Sequence, residues 1–125
     1  MKKFRAIISK TLIDELGLDA VMLSRLDGDK PVCIELRDGA EIYITAEEND
    51  VLMAFIEIPI KDKRKIQMQS NKIMDIFIND EDLLMNVRKD KFVVMCYIDK
   101  KSKDIESKLL DKLVVFNNLA ELINS

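Results

Sequence analysis

Few side chains in this sequence could perform acid–base or nucleophilic chemistry. The chain has no histidine, the side chain best suited to proton transfer near neutral pH. A serine nucleophile needs a base of this kind beside it. No serine of the chain can therefore have a histidine as its base; the serines are Ser9, Ser24, Ser70, Ser102, Ser107 and Ser125. The three glycines are too scattered for a phosphate-binding loop or a dinucleotide fingerprint. The sequence therefore predicts a protein that is not an enzyme and holds no cofactor.

Two groups of carboxylates have the chemistry to bind a hard cation. They are Asp27 with Asp29, and Glu47 and Glu48 with Asp50. Both groups fall at predicted strand boundaries, where acidic residues commonly form solvated turns. Neither has the ligand spacing of a calcium-binding loop. We therefore predict turns and no metal site, and a small-ligand protein or enzyme that uses carboxylates alone stays open as an alternative.

The two cysteines, Cys33 and Cys96, lie in apolar alternating segments and are far from Cys-x-x-Cys spacing. A zinc site of the common kind would need further cysteine or histidine ligands. Secreted domains of this size often carry several disulfides, so this low count favours a reducing cytosol. We expect buried thiols that act as small hydrophobic side chains. A redox pair and a disulfide between two strands are the alternatives.

The composition is typical of one folded domain spanning residues 1–125. Hydrophobic residues make up 48% and charged residues 34% of the chain, and this length supports one modest core. Twenty basic residues against 23 acidic ones leave a net charge of -3. The two signs are interspersed along the sequence, so we expect no basic face for nucleic acid. A signal peptide and an apolar run long enough for a membrane span are both lacking, which predicts a cytoplasmic protein without membrane insertion.

Hydrophobic periodicity predicts the order of the elements. Helical spacing predicts a first helix that ends at Gly17, with Phe4, Ile7, Ile8, Leu12 and Leu16 on one face. A period of two then predicts strands around 32–37, 41–46 and 51–58, joined by turns at Asp38-Gly39 and at 48–50. A second helix is predicted over about 61–78, with an apolar stripe of Ile66, Ile73, Ile76 and Phe77 that Met74 and Ile78 broaden.

The C-terminal third is predicted to form a second hairpin and a last helix. The hairpin strands cover 83–87 and 91–98. Ser102 is the expected N-cap of the helix, whose apolar stripe is Ile105, Leu109, Leu113, Phe116, Ala120 and Ile123. The fold class is therefore α+β, in the order helix, three strands, helix, two strands, helix. The sheet should be twisted and mostly antiparallel, with helices packed against it.

The third and last strands have more apolar residues than one sheet face requires. Val51, Met53 and Phe55 lie opposite the set that starts at Leu52, and Val93, Met95 and Tyr97 repeat the pattern on the last strand. A large exposed apolar patch marks an interaction site, and seven methionines suit a surface that accepts several partners. The alternative is that helices cover both faces of the sheet, which would make this surplus ordinary core.

The chain resembles the class I chaperones of bacterial type III secretion in its size, acidity, element order and lack of catalytic groups. The segments 16–19, 26–27 and 31–36 are similar to those of multi-effector invasion chaperones of the InvB and SpaK type. The likeness continues through 40–44 and 51–54. One departure is that tryptophan is absent and Phe55 stands near the aromatic position of those relatives.

This resemblance implies a homodimer that binds the N-terminal, non-globular segment of one or more effector proteins and keeps them soluble for secretion, a role in protein transport and virulence. The implied effector-binding residues are Phe4, Ile8, Leu12, Cys33, Tyr43, Met53 and Phe55. The implied dimer interface includes Met68, Lys72, Asp75, Leu84 and Met85. Recruitment of the secretion ATPase is a further partner interaction that the resemblance raises.

An immunity or inhibitor protein that caps a folded toxin is the main rival hypothesis. Such a protein would also be small, acidic and cytoplasmic. It would use a concentrated, negatively charged face, whereas the charges alternate along this sequence.

Overall fold

The computed structural model describes Ile7, residues 32–36 and residues 39–124. Its strands are β1 (Val32–Glu35), β2 (Glu41–Glu47), β3 (Val51–Pro59), β4 (Leu84–Val87) and β5 (Lys91–Asp99). Its helices, numbered within the described residues, are α1 (Lys63–Met68), α2 (Ser70–Asn79) and α3 (Ile105–Asn124). The predicted first helix lies outside the described residues except for Ile7, which is buried.

The five strands form one antiparallel sheet in the order β1-β2-β3-β5-β4. Helices pack on it, so the predicted α+β fold class is confirmed. The turn predicted at residues 48–50 is also present, whereas Asp38 of the first predicted turn lies outside the described residues. Gly39 adopts a φ of 91°, a conformation that favours glycine, and the Leu36 N–H donates to the Ala40 carbonyl at 2.8 Å. Asn49 and Asp50 have φ of 63° and 58°, which Asn and Asp tolerate better than most residues.

Successive strand residues point to opposite sides of the sheet. Among the described residues, helices pack on one side only, and we call this side the core face and the other the open face. Along β3, Leu52, Ala54, Ile56 and Ile58 are buried, while the residues between them are half-buried. Helix α3 covers the core face, and its predicted stripe is buried along the full length, joined by Leu119. The central core therefore lies between this helix and strands β3 and β5.

Three details of the helices differ from the sequence prediction. The second predicted helix is divided at Gln69 into α1 and α2, which contact α3. Met74 and Ile78 are exposed and do not extend the buried stripe. The last helix begins at Ile105 rather than directly after Ser102, and the Ser102 hydroxyl donates to the Asp104 carboxylate at 2.6 Å.

Candidate functional site

The open face of the sheet carries two adjacent rows of mostly apolar side chains that run across the strands. Residues directly opposite each other on neighbouring strands share a face, so the strand register defines each row. The first row crosses all five strands and consists of Cys33, Tyr43, Phe55, Met95 and Leu84. The second crosses three strands and consists of Thr45, Met53 and Tyr97. We call these two rows the apolar band.

The band is partly accessible. Tyr97 is 53% exposed and Leu84 is 51% exposed, while Met53, Phe55 and Met95 are half-buried. The Tyr43 and Phe55 rings stack at a centroid distance of 4.9 Å and an interplanar angle of 16°. A stacked aromatic pair of this kind stabilises both rings, so they lie side by side in the band.

Four effector-binding residues expected from the sequence lie together in this band. Cys33, Tyr43 and Phe55 share the first row, and Met53 lies in the second. The strand register adds Met95, Tyr97 and Leu84 to the band, and none of the three was among the effector-binding residues expected from the sequence. The apolar residues Met95 and Tyr97 on the second face of the last strand were the feature of the sequence that could have indicated them. The other three expected residues, Phe4, Ile8 and Leu12, lie outside the described residues.

A hydrogen-bonded group stands at the β1 and β2 end of the band. The Tyr43 hydroxyl donates to Glu41 Oε2 at 2.6 Å, and the Cys33 thiol approaches the same oxygen at 3.6 Å. The hydrogen bond to Glu41 raises the pKa of Tyr43 well above its usual value. Burial raises the pKa of the Cys33 thiol, and the carboxylate of Glu41 adds to this effect. Both groups are therefore protonated at neutral pH and present polar hydrogens rather than a nucleophile.

Carboxylates border the band on both sides. On one side the next row contains Glu35, Glu41 and Glu57, and Lys91 pairs with Glu57 at 3.2 Å. On the other side the next row contains Glu47 and Asp99, with Val51 between them. We call these the two acidic rows. The carboxylates of the strands therefore gather on the open face, although acidic and basic residues are interspersed in the sequence.

A second set of exposed apolar side chains lies on the edge strand β4 and on helices α1 and α2, and we call this set the second apolar surface. Its exposed apolar side chains are Met68, Met74, Ile78, Leu84, Met85 and Val87. Met68 is 81% exposed, and every residue expected at the dimer interface, including Lys72 and Asp75, is exposed in the single chain. Their membership of a dimer interface remains a prediction.

An ion pair holds the loop before β4 against helix α3. The Lys112 ammonium donates to both carboxylate oxygens of Asp80 at 2.7 and 2.6 Å and to Asp82 at 3.4 Å. The Lys112 and Asp80 side chains are only 14% and 19% exposed. Burial lowers the pKa of Lys112, but the hydrogen bonds and charge of Asp80 and the charge of Asp82 outweigh it and raise that pKa. The pair therefore ties the loop that leads into β4 to helix α3.

The two cysteines do not form a disulfide. Cys96 is buried on the core face as predicted, and burial raises the pKa of its thiol to about 12. The prediction of a buried thiol is wrong for Cys33, which is only half-buried on the open face. The residues described include no group of three or more histidine, cysteine or acidic side chains that could hold a metal ion. The pair Asp27 and Asp29 lies outside them. None of the helices in the described ranges is long and apolar enough to cross a membrane.

Comparisons with known proteins identify the fold. No protein-family model matches the chain, and no curated protein matches it. Among solved structures, it is similar to the Yersinia pestis type III secretion chaperone SycH, solved in complex with a stable fragment of YscM2. That match has a TM-score of 0.61 and 12% sequence identity, and it covers 95% of this chain and 98% of that chain. A second similar structure is the ExsC–ExsE complex, with a TM-score of 0.60, 11% identity, and coverage of 94% and 87%. The chain therefore has the fold of a type III secretion chaperone.

Proposed function

We propose that this protein is a cytoplasmic type III secretion chaperone. In this role it binds the N-terminal, non-globular segment of one or more effectors as a homodimer and keeps them competent for secretion. The observation that carries the proposal is the likeness to SycH over nearly the full length of both chains. A fold alone does not define a function, so the accessible apolar band is the second support. The multi-effector subtype and recruitment of the secretion ATPase belong to the same proposal.

The physical logic of this function matches the surfaces on the sheet. A disordered effector segment loses conformational entropy when it binds, so the partner must offer a large apolar surface in return. The apolar band supplies side chains of this kind, with Met53 and Phe55 at its centre. A dimer presents two bands, which doubles the surface available to one wrapping segment.

The homodimer would use the second apolar surface. Met68, Leu84 and Met85 are at least half exposed, and apolar side chains on an edge strand are otherwise an aggregation hazard. Pairing with a second copy would bury them. Leu84 also ends the first row of the apolar band, so it would lie where the dimer contact meets the open face, and the rest of the band would remain available for effectors.

The test combines mass measurement with binding. Light scattering gives the mass of the purified chain, and fragments containing only effector N-terminal regions are then titrated against it. The double variant Met53→Lys/Phe55→Glu should lose binding while it keeps the dimer mass and the circular dichroism spectrum. Val114→Glu is the matched control, because Val114 is an exposed apolar residue on α3. A monomer that binds no such fragment would refute the proposal, and unfolding of the double variant would assign those residues to the core.

The immunity or inhibitor hypothesis gains one observation from the structure. Among the described strand residues of the open face, acidic side chains outnumber basic ones five to one, and a negatively charged face is what this rival requires. The difference lies in the partner's state, since an inhibitor binds a folded toxin and a chaperone binds an unfolded segment. Hydrogen exchange on the bound partner separates them, because only a folded partner shows protected amides away from the contact surface.

A further inference from the structure

We propose that the open face binds a cationic amphipathic helix of its partner. The helix lies across the strands on the apolar band and directs lysine or arginine side chains toward the two acidic rows. This inference rests on the proposed function, since the helix would form within the bound effector segment. It adds the charge and conformation that the face selects.

The charge of the open face supports a cationic partner. Strand residues described on this face include five of the 23 acidic residues of the chain and one of its 20 basic residues. The acidic ones are Glu35, Glu41, Glu47, Glu57 and Asp99, and the basic one is Lys91. The rest of the chain is nearly balanced. A partner with basic flanks therefore gains net attraction from the strand residues of this face.

The face of a sheet also favours a bound segment that is helical over one that is extended. The backbone groups in the middle of this sheet are already paired with neighbouring strands, so the face offers only side chains. An extended segment lying on it would leave its own N–H and C=O groups without protein partners. A helix satisfies these groups internally and can bury one apolar face.

The dimensions of the band agree with a helix. Rows on one face are spaced about 6.7 Å apart along the strands, so the acidic rows on either side lie about 20 Å apart. A helix about 10 Å wide fits between them, with room for basic side chains on both flanks. Five strands at about 4.8 Å spacing give a row about 19 Å long, which corresponds to about 13 helical residues.

The same charges disfavour a second copy of this chain as the occupant. Two open faces brought together would place acidic rows against acidic rows, and like charges across an interface are unfavourable. The exposed apolar surface on β4, α1 and α2 lacks these rows, which is why we assign the dimer contact there. A dimer would thus carry two cationic helices.

The probe is a fluorescein-labelled synthetic helix of about 14 residues, with leucine at the i, i+3, i+4 and i+7 spacing and lysine on both flanks. A twin peptide has glutamate in place of every lysine. Fluorescence anisotropy with the full-length protein should show binding of the lysine peptide. Its affinity should fall as the salt concentration is raised, because salt screens the attraction between opposite charges. The glutamate peptide should bind at least about tenfold more weakly.

Two triple variants distinguish the effect of charges on the open face from the effect of the net charge of the protein. The variant Glu35→Gln/Glu41→Gln/Glu57→Gln should lower the affinity for the lysine peptide by about tenfold, because each lost charge pair should lower the affinity by a factor of about two to three. The control Glu81→Gln/Asp111→Asn/Glu121→Gln changes the net charge equally at exposed positions elsewhere, and should leave binding within about twofold. Circular dichroism checks that both variants fold.

The outcomes distinguish this inference from the function on which it rests. Equal binding of the two peptides, equal effects of the two triple variants, or no binding of either peptide would overturn the cationic helix. If effector N-terminal fragments then still bind the wild type and the Gln variant alike, the chaperone proposal survives and only this inference fails. If no such fragment binds the wild type, the chaperone proposal itself fails.

Discussion

The ion pair between Lys112 and Asp80 gives the sharpest prediction about stability. The change Lys112→Met removes the ammonium and keeps the length and apolar character of the stem. It leaves the Asp80 carboxylate, only 19% exposed, without its cation. Exposed pairs contribute about 0.2–1 kcal/mol, and loss of one partner from a fully buried pair costs about 3–5 kcal/mol. This pair lies between those limits, so we expect a loss of about 2 kcal/mol in the free energy of unfolding.

Urea denaturation followed by circular dichroism measures this loss at one fixed protein concentration, since dimerisation would make stability concentration-dependent. A double-mutant cycle with Asp80→Asn isolates the coupling between the two side chains. Lys108→Met is the matched control, because Lys108 pairs with Asp104 at 3.7 Å and both side chains are more than half exposed. If Lys112→Met and Lys108→Met cost the same, burial does not strengthen the pair and the reasoning is wrong.

The sign of the pH dependence follows from the raised pKa of Lys112. Its stabilisation is complete below the pKa of lysine in the unfolded chain, about 10.4. It is lost as the pH rises through the higher pKa of the folded state. The stability difference between wild type and Lys112→Met should therefore be constant from neutral pH to about pH 10 and shrink above it. A difference that shrinks already near neutral pH would contradict the assignment.

Three further predictions test the open face, a turn and the core. In the variant Tyr97→Phe, Tyr43 is the remaining tyrosine, and its absorbance titration should show ionisation at a higher pH than free tyrosine. Adding Glu41→Gln should lower the pKa of Tyr43 toward its usual value, and an unchanged titration curve would exclude the hydrogen bond as the cause. Asn49→Val should lower the free energy of unfolding by about 1–2 kcal/mol in urea denaturation, because a β-branched residue disfavours positive φ; no change would contradict the left-handed turn. The Cys96 thiol should react with a disulfide reagent only at the rate of unfolding, because it is buried and its pKa is about 12; rapid labelling in the native state would contradict its burial.

Local periodicity was sufficient to predict most of the fold. The alternation in β3 and β5 and the helical stripe from Ile105 to Ile123 were each visible in the sequence, and all the predicted stripe residues of α3 are buried. These features depend on side-chain spacing within one element, which the sequence specifies directly. The break at Gln69 was not visible, because the apolar spacing continues through it.

The sequence by itself determined the fold class, the two faces of each central strand and the lack of histidine chemistry. Only the tertiary structure decided which residues of different strands become neighbours. Cys33, Phe55 and Leu84 are far apart in the chain but share one row, because the strand register aligns them. The same register gathers carboxylates into acidic rows from a sequence in which the charges alternate. Periodicity within an element is a local property, whereas register and strand order depend on the packing of the whole sheet.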